Sequence, residues 1–332
     1  MKKFDVTALG ELLVDFTENG MSAQGNPLLE ANPGGAPCNV LSMLQNLGKK
    51  TAFIGKVGAD MFGTMLTQAV KDQGINIDNL VTDDTVHTTL AFVHTGVDGD
   101  RDFSFYRNPG ADMMLREEEI QQEIFADTKI FHFGTLSFTS TDAKEATCYA
   151  VECAEEAGKL ISFDPNIRIN LWNDPQEARK AMDYGLKKCD ILKISDEELF
   201  FLTGIRDQDE AMKILKATYE IPFICLTMGR NGSCAYYHDR KVQMNAFVQE
   251  KTVDTTGAGD TFMGCVLNFV LDHGLDGLEE EEIRQMLRFS SAAASIITTR
   301  YGALKVMPDQ EEIQKYMKDV LTADVKRKLK SI

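Results

Sequence analysis

With 332 residues the chain is long enough for two domains or for one large α/β domain, and its apolar fraction of 43% is ordinary for a protein that buries a substantial core. A formal net charge of −16 argues against non-specific binding to nucleic acid or to an anionic membrane. Any anionic ligand must therefore be held by a local site against an unfavourable overall field. The seven cysteines (Cys38, Cys148, Cys153, Cys189, Cys225, Cys234 and Cys265) contain no C-x-x-C and fall mostly in apolar runs, as expected of reduced thiols in a cytoplasmic protein. The five histidines are scattered, with no pair at metal-ligand spacing. Two lysines lead into a strand rather than a signal peptide, and no apolar run approaches the roughly 18 residues of a membrane span.

Phe4 to Gly10 alternates apolar and polar residues and stops at a glycine, which predicts a strand and a turn. Glu11 to Phe16 follows and places Asp15 just beyond the carboxyl end of that strand, the edge where open parallel sheets hold ligands. A solvated Asp on a second strand accounts for the same spacing. Residues 17–31 are polar and show no helical period. Asn32-Pro33-Gly34-Gly35-Ala36-Pro37-Cys38-Asn39-Val40 then leads into an amphipathic helix through Leu47. Gly34 and Gly35 allow backbone to approach a ligand closely, and Asn39 carries both donor and acceptor groups. Thr51 to Val57 reads as a strand, and Gly55-x-x-Gly58-x-Asp60-x-Phe62-Gly63 turns into a helix running to Asp72. GxxxxGK[ST] is absent, which excludes a Walker-type NTPase as a motif reading.

Thr88 to Thr95 and Arg101 to Arg107 alternate on either side of Gly96-Val97-Asp98-Gly99-Asp100, a hairpin signature. Phe103, Phe105 and Arg107 share one face of the second strand. With the segment after Asp15 these strands form a small projecting sheet, placed either to cover a site or to pair with a second subunit. From residue 129 the pattern is β/α alternation: strands at 129–133, 160–163, 191–194 and 223–227, with helices at 142–157 and 175–188, one opened by Ser195-Asp196-Glu197-Glu198 and ending at Gly204, and another at 207–219. Two short strands (233–237 and 241–247) and helices at 258–272, 281–298 and 309–320 complete the chain. Such alternation predicts a mostly parallel sheet between helical layers. The acidic run Glu279–Glu282 reads as a solvated helix start, and the basic end at Lys326, Arg327, Lys328 and Lys330 as a frayed tail.

The most informative stretch is Val253-Asp254-Thr255-Thr256-Gly257-Ala258-Gly259-Asp260-Thr261-Phe262. A glycine-rich turn opening a helix aims the amides of Gly257, Ala258 and Gly259 outward, where the helix dipole favours negative charge. Asp260 beside this nest is expected to be held ionised by the same field. An anion cradle next to a fixed carboxylate is the equipment that phosphoryl transfer to a hydroxyl requires. An isolated G-x-G-D would more simply be a capped tight turn.

Asp-Thr-Thr-Gly-Ala-Gly-Asp-Thr-Phe at 254–262 resembles the C-terminal signature of the ribokinase/pfkB family of sugar kinases, and Gly34-Gly35-x-x-x-Asn39 with G-x-V-G-x-D-x-F-G at 55–63 resembles its N-terminal signature. The resemblance runs from Gly10 to about Gly302. It implies one ribokinase-like α/β/α domain over residues 1–332, with a lid from about 12–33 and 88–110. It also implies transfer of the γ-phosphate of ATP, with Mg²⁺ bridging the phosphates. By motif, Asp260 becomes the base, Gly257, Ala258 and Gly259 the anion hole, and Asp15, Gly34, Gly35 and Asn39 the sugar contacts. Glu198 matches the acidic residue of the N-x-x-E element that organises Mg²⁺ through water, with Ser195 in place of the asparagine. Lys193, Thr227, Gly229, Gly232 and Ser291 lie where the family lines its ATP groove, Ser290-Ser291 standing where Asn-Ala is common. Leu41 likewise replaces a usual alanine. Many members bind a monovalent cation, for which Asp254 and carbonyls of Thr256, Ile297, Arg300 and Gly302 would supply oxygens to K⁺.

The stretches at 34–39, 105–112 and 163–172 look like the fructokinase branch, with Arg107 and Arg168 near the sugar or the phosphates. A structural salt bridge is an equal alternative for Arg107. The expected activity is phosphorylation of fructose to fructose 6-phosphate. The same chemistry on 2-keto-3-deoxygluconate, ribose or a riboside stays open, and a non-catalytic sugar-binding relative would have to lose Asp260 or the glycines. Self-association through the lid is a further expectation.

Overall fold

A computed structural model describes residues 3–95, 101–249 and 251–330. The chain begins β1 (Val6–Leu9), β2 (Leu13–Met21), β3 (Pro27–Gly34), α1 (Ala36–Asn46), β4 (Thr51–Gly58), α2 (Met61–Asp72), β5 (Asn76–Asp83), β6 (Leu90–Thr95) and β7 (Arg101–Tyr106). Short helical turns precede α3 (Glu123–Ala126), β8 (Ile130–Phe133), α4 (Thr141–Glu156), β9 (Leu160–Phe163), α5 (Pro175–Lys188), β10 (Ile191–Ser195), α6 (Asp196–Thr203) and α7 (Gln208–Thr218). The last part holds β11 (Phe223–Thr227), β12 (Ser233–Tyr237), β13 (Arg240–Met244), α8 (Ala258–His273), α9 (Glu280–Ile297) and α10 (Gln310–Lys330).

Nine strands form one sheet in the order β13-β12-β11-β10-β9-β8-β1-β4-β5, parallel from β11 to β5 and antiparallel at β12 and β13. The strand sequences are apolar on both faces because both faces are covered. Phe131, Phe133, Leu192, Ile194, Ile224 and Leu226 enter a core shared with α4, α5, α6 and α7. Val6, Ala8, Phe53, Ile191, Phe223 and Cys225 enter the opposite core with α1, α2, α8 and α9. This is the three-layer α/β/α arrangement that the alternation and the resemblance imply. No described helix is long and apolar enough to cross a membrane.

A second sheet, β3-β2-β6-β7, stands apart as the expected projecting sheet. Its β2–β3 hairpin occupies residues that carried no periodic signal, because the first half of β3 and the distal half of β2 are exposed, so burial imposes no apolar alternation on them. The Gly96–Asp100 turn expected between β6 and β7 lies outside the described residues. β5 was also unmarked: it contains Asn76, Asp78, Asn79 and Asp83, residues that strands disfavour, and its pairing with β4 at the sheet edge overrides that preference. The basic end expected to fray continues α10 as far as Lys330.

Strand order reverses at β1, which lies between β8 and β4. Ligand crevices in open α/β sheets open at the carboxyl ends of strands beside such a switch point. Two helices deliver their N-termini there, α1 and α8, and they pack closely because of Gly264. A Cβ at that position would lie 2.7 Å from Met43 Cβ and 3.1 Å from the Val40 carbonyl oxygen. Gly264→Val is expected to destabilise the protein by about 1–3 kcal/mol through overpacking, seen as a lower urea midpoint; an unchanged midpoint would show that α1 and α8 separate freely.

Candidate functional site

The site is built on the N-terminus of α8. Gly257 precedes the helix with φ 77°, a left-handed conformation that disfavours side chains, and an added Cβ would sit 2.6 Å from Ala303 Cβ. This turn brings Asp260 into the first helical turn, where it is only 8% exposed. Its Oδ2 accepts a hydrogen bond from Asn39 Nδ2 on α1 at 2.8 Å. The helix field was expected to keep Asp260 ionised. Burial dominates instead and raises its pKa above the ordinary carboxylate value, against the opposing pull of Asn39, Lys193 and Arg168.

Two cavities meet at this helix start. One, of ≈ 300 Å³, is lined by Asp15, Asn39, Arg168, Lys193, Gly257 and Asp260, together with Glu11, Phe105, Asn166 and Gly35. The other, of ≈ 290 Å³, lies over Thr227, Gly229, Gly232 and Ser291, with Phe247, Val248 and Ala258 completing an apolar slot. Thr255 and Gly259 border both. A polar chamber and an apolar slot are thus joined across the residues that form the proposed anion hole. Among the three amides assigned to that hole, Ala258 N–H already donates to the Thr255 carbonyl at 3.3 Å.

The structure places most of the remaining candidates around this junction and displaces some. Gly34 packs against Asp15, whose Oδ2 would be 2.2 Å from a Cβ there, and Gly35 (φ 125°) lets the chain pass the Glu11 carbonyl. Lys193 lines the polar chamber beside Asp260 rather than the slot shared by Thr227 and Ser291, and it reaches the border of the two at Gly259, whose added Cβ would be 3.0 Å from its Nζ. Arg107 is a correction. Its guanidinium is buried against Asp112, with Nε and Nη2 at 2.8 and 2.7 Å from Oδ2, and it also donates to Thr139 Oγ1 and the Leu136 carbonyl. The salt-bridge alternative describes it, and it does not line the chamber. A buried Asp five residues on is a stronger partner than an open cavity.

Glu198 and Ser195 form a capping box at the start of α6, each side chain bonding the other's backbone amide. The second Glu198 oxygen accepts the Ile167 amide at 2.9 Å, tying α6 to the loop that carries Arg168. Among the described residues no group of three His, Cys, Asp or Glu side chains stands ready to hold a metal. Both Glu198 oxygens are thus engaged by backbone amides. Asp254 is buried and bridges segments, accepting from Thr256 N at 2.7 Å and Gly302 N at 3.2 Å. Its two bonds hold the loop at 254–256 against the loop at 297–302, where the Ile297 carbonyl accepts the Arg300 amide.

Three residues of the site were not singled out from sequence. Glu11 is buried, caps α1 from outside by accepting the Ala36 amide at 2.8 Å, and has its carboxyl pushed up to about 7 by burial. Asp164 pairs with Lys193. Asn166 lines the chamber with φ 43°, a strained value for a residue with a side chain. Asp164 and Asn166 both belong to the 163–172 stretch that carries the fructokinase resemblance, where Arg168 alone was assigned a ligand contact.

The pfkB family carbohydrate kinase profile matches residues 3–310. A protein named Probable fructokinase-2 from Arabidopsis thaliana is 41% identical over 321 residues, covering 94% of this chain and 95% of its own. A fructokinase from Xylella fastidiosa, solved with bound ATP, superposes with a TM-score of 0.85 at 30% identity, over 96% of this chain and 99% of that one. A fructokinase double mutant from Vibrio cholerae O395, solved in fructose-, ADP- and potassium-bound form, gives 0.84 at 26% identity over 96% and 99% of the two chains. With a glycine-flanked aspartate at the junction of two cavities and a profile match along nearly its whole length, the chain belongs to the pfkB family of carbohydrate kinases.

Proposed function

We propose that the protein transfers the γ-phosphate of ATP to a hydroxyl of fructose, giving fructose 6-phosphate and ADP. The observation that carries this reading is the shared border of the two cavities at Thr255 and Gly259, with Asp260 on the polar side. The apolar slot suits an adenine ring, and the polar chamber a sugar. The phosphate chain then crosses the N-terminus of α8, where the helix dipole stabilises negative charge. Asp260 accepts the proton of the attacking hydroxyl, while Asn39 fixes the orientation of its carboxylate. Asp15, Asn39 and Arg168 contact the sugar; Thr227, Gly229, Gly232 and Ser291 border the nucleotide. Mg²⁺, met by Glu198 through water, supplies charge neutralisation along the phosphates. K⁺ would be held by Asp254 and carbonyls of the two loops that Asp254 bridges.

The fructose assignment is supported by the names of the relatives and by Arg168 and Asn166 in the chamber. A 2-keto-3-deoxy acid is the second reading, favoured by the same Arg168, which would pair with a carboxylate. Exposed Met21, Leu28, Leu29 and Tyr106 on the small sheet support self-association through the lid. Seven free cysteines, six of them buried, support a reducing cytoplasmic setting.

Turnover of ATP by the purified protein against fructose, glucose, mannose, ribose, 2-keto-3-deoxygluconate and a purine riboside, with Mg²⁺ and with or without K⁺, tests the assignment. The expected result is a kcat/KM for fructose well above the others; preference for the keto-deoxy acid would retain the transfer machinery and reassign Arg168. Asp260→Asn should lower kcat by about 10²–10⁴-fold, the usual contribution of a general base, with little change in sugar KM. Near-normal kcat in that variant would remove Asp260 from the role. Because burial raises the Asp260 pKa, the base form is lost as pH falls through that raised value. The acid limb of kcat in the wild-type enzyme is therefore expected above the ordinary carboxylate range, and a limb inside that range would contradict the assignment.

A further inference from the structure

A smaller cavity shares part of its wall with the polar chamber. It has a volume of ≈ 10 Å³, of the size that takes a single water molecule, and is lined by Glu11, His132, Thr135, Asp164, Asn166 and Asp260. Glu11, Asn166 and Asp260 border both spaces, so a molecule held here touches Asp260 without taking the room of a sugar. Polar walls of this kind are what an internal water needs, since it must find two to four hydrogen-bond partners.

The titratable groups around this cavity are not equivalent. Asp164 has its two oxygens 3.0 and 2.9 Å from Lys193 Nζ and is occupied by that ammonium. His132 from β8 places Nδ1 2.8 Å from Ser162 Oγ, and burial together with the Lys193 charge pushes its pKa down to about 3, so it is neutral and a weak proton acceptor. Glu11 differs from both. Its Oε1 accepts the Ala36 amide at 2.8 Å, and burial pushes the carboxyl up to about 7, where it takes and releases a proton near neutrality. Asp112 and Arg107 act on Glu11 in opposite directions and are paired with each other, and the Cys38 thiol on α1 is kept neutral by burial. Across the small cavity Glu11 meets His132, Asp164 and Asp260.

We propose that the small cavity holds one water molecule that carries the sugar proton from Asp260 to Glu11, so that Glu11 acts through Asp260 as the proton store of the reaction. The proposal rests on the kinase reading above and deepens it. In the transfer step the sugar oxygen forms its bond to Pγ, and the bond from Pγ to the bridging oxygen breaks with its electron pair leaving on ADP. The hydroxyl proton passes to Asp260. Asp260 then gives that proton to the water while the water gives one of its own to Glu11. No oxidation or reduction occurs, and Asp260 is an anion again before the products leave. Glu11 also borders the polar chamber, and it returns the proton to solvent once the chamber empties. The cap on α1 survives this cycle, because Oε1 still accepts the Ala36 amide while Oε2 carries the proton.

The test is kcat across pH for the wild-type enzyme, Glu11→Gln and Glu11→Asp, with folding checked by circular dichroism and thermal midpoint. A store must be ionised to receive the proton, so wild-type kcat is expected to fall as pH drops through about 7. Glutamine keeps an oxygen for the Ala36 amide, which preserves the cap, but takes up no proton. Glu11→Gln is therefore expected to lower kcat by about 10²-fold, the lower end of a proton-transfer contribution, and to abolish the limb near neutrality. Glu11→Asp should recover part of kcat and show an acid limb displaced from the wild-type position. A wild-type profile without that limb would overturn the proposal, as would a Glu11→Gln variant that keeps the limb or loses kcat uniformly with pH, the behaviour of a residue that only caps α1. If Glu11→Gln does not fold, Glu11→Asp decides, an unmoved limb assigning the ionisation to Asp260 and overturning the proposal. A wild-type protein that phosphorylates no sugar would instead overturn the kinase reading, so the two failures are distinguishable.

Discussion

The hydrogen bond from Asn39 Nδ2 to Asp260 Oδ2 joins residues 221 positions apart, and the rest of the site takes its geometry from it. It requires α1 and α8 to begin at the same place and to run side by side. That requirement is met by strand order, since β1 leads through the small sheet into α1, and by close packing at Gly264. The bond also has an electrostatic meaning. A carboxylate removed from water is disfavoured as an anion, and an amide donor compensates part of that loss while fixing which oxygen is turned to the substrate. Asn39 Oδ1 is buried and has no hydrogen-bond partner among the described residues.

The rest of the site separates into parts that hold position and parts that meet ligand. Glu11 caps α1 from outside the helix, Glu198 closes the start of α6 and grips the Ile167 amide, and Asp254 fastens one loop to another. All three are buried carboxylates whose oxygens accept backbone amides. Such bonds fix loops more rigidly than surface ion pairs, because an unmade amide bond in the interior is expensive. The ligand-facing groups then stand on pre-set backbone, and little reorganisation is left for the moment of transfer.

How much of this was legible in the sequence follows a physical division. The parallel strands β8 to β11 were visible because both faces are buried, so their residues form apolar runs bounded by turn signals. The glycine-Asp motif was visible because its chemistry is local: turn, helix start and carboxylate lie within four residues. The β2–β3 hairpin was not, since exposed strands lose the apolar alternation that marks them. Arg107 and Lys193 show a second limit. Each is a cation whose partner, Asp112 or Asp164, is decided by three-dimensional packing, and a motif gives the residue without the direction of its side chain. Asp164 lies in the same 163–172 stretch as Arg168, but the stretch does not state which side chain it pairs with.

The charge of the whole molecule gives the last step. At −16 the protein repels anions at long range, yet its site is equipped for a nucleoside triphosphate. The two facts are compatible because salt screens exposed charges over a distance of about 8–10 Å, whereas Lys193 and Arg168 line the chamber itself beside the N-terminus of α8. Lys193 is buried, and the carboxylates around it hold it charged. The exposed surface charge and the buried charges of the chamber therefore act over different ranges. The surface charge opposes polyanions at long range, whereas the charges of the chamber, Lys193 with Asp164 and Asp260 among them, act only on a group small enough to enter it.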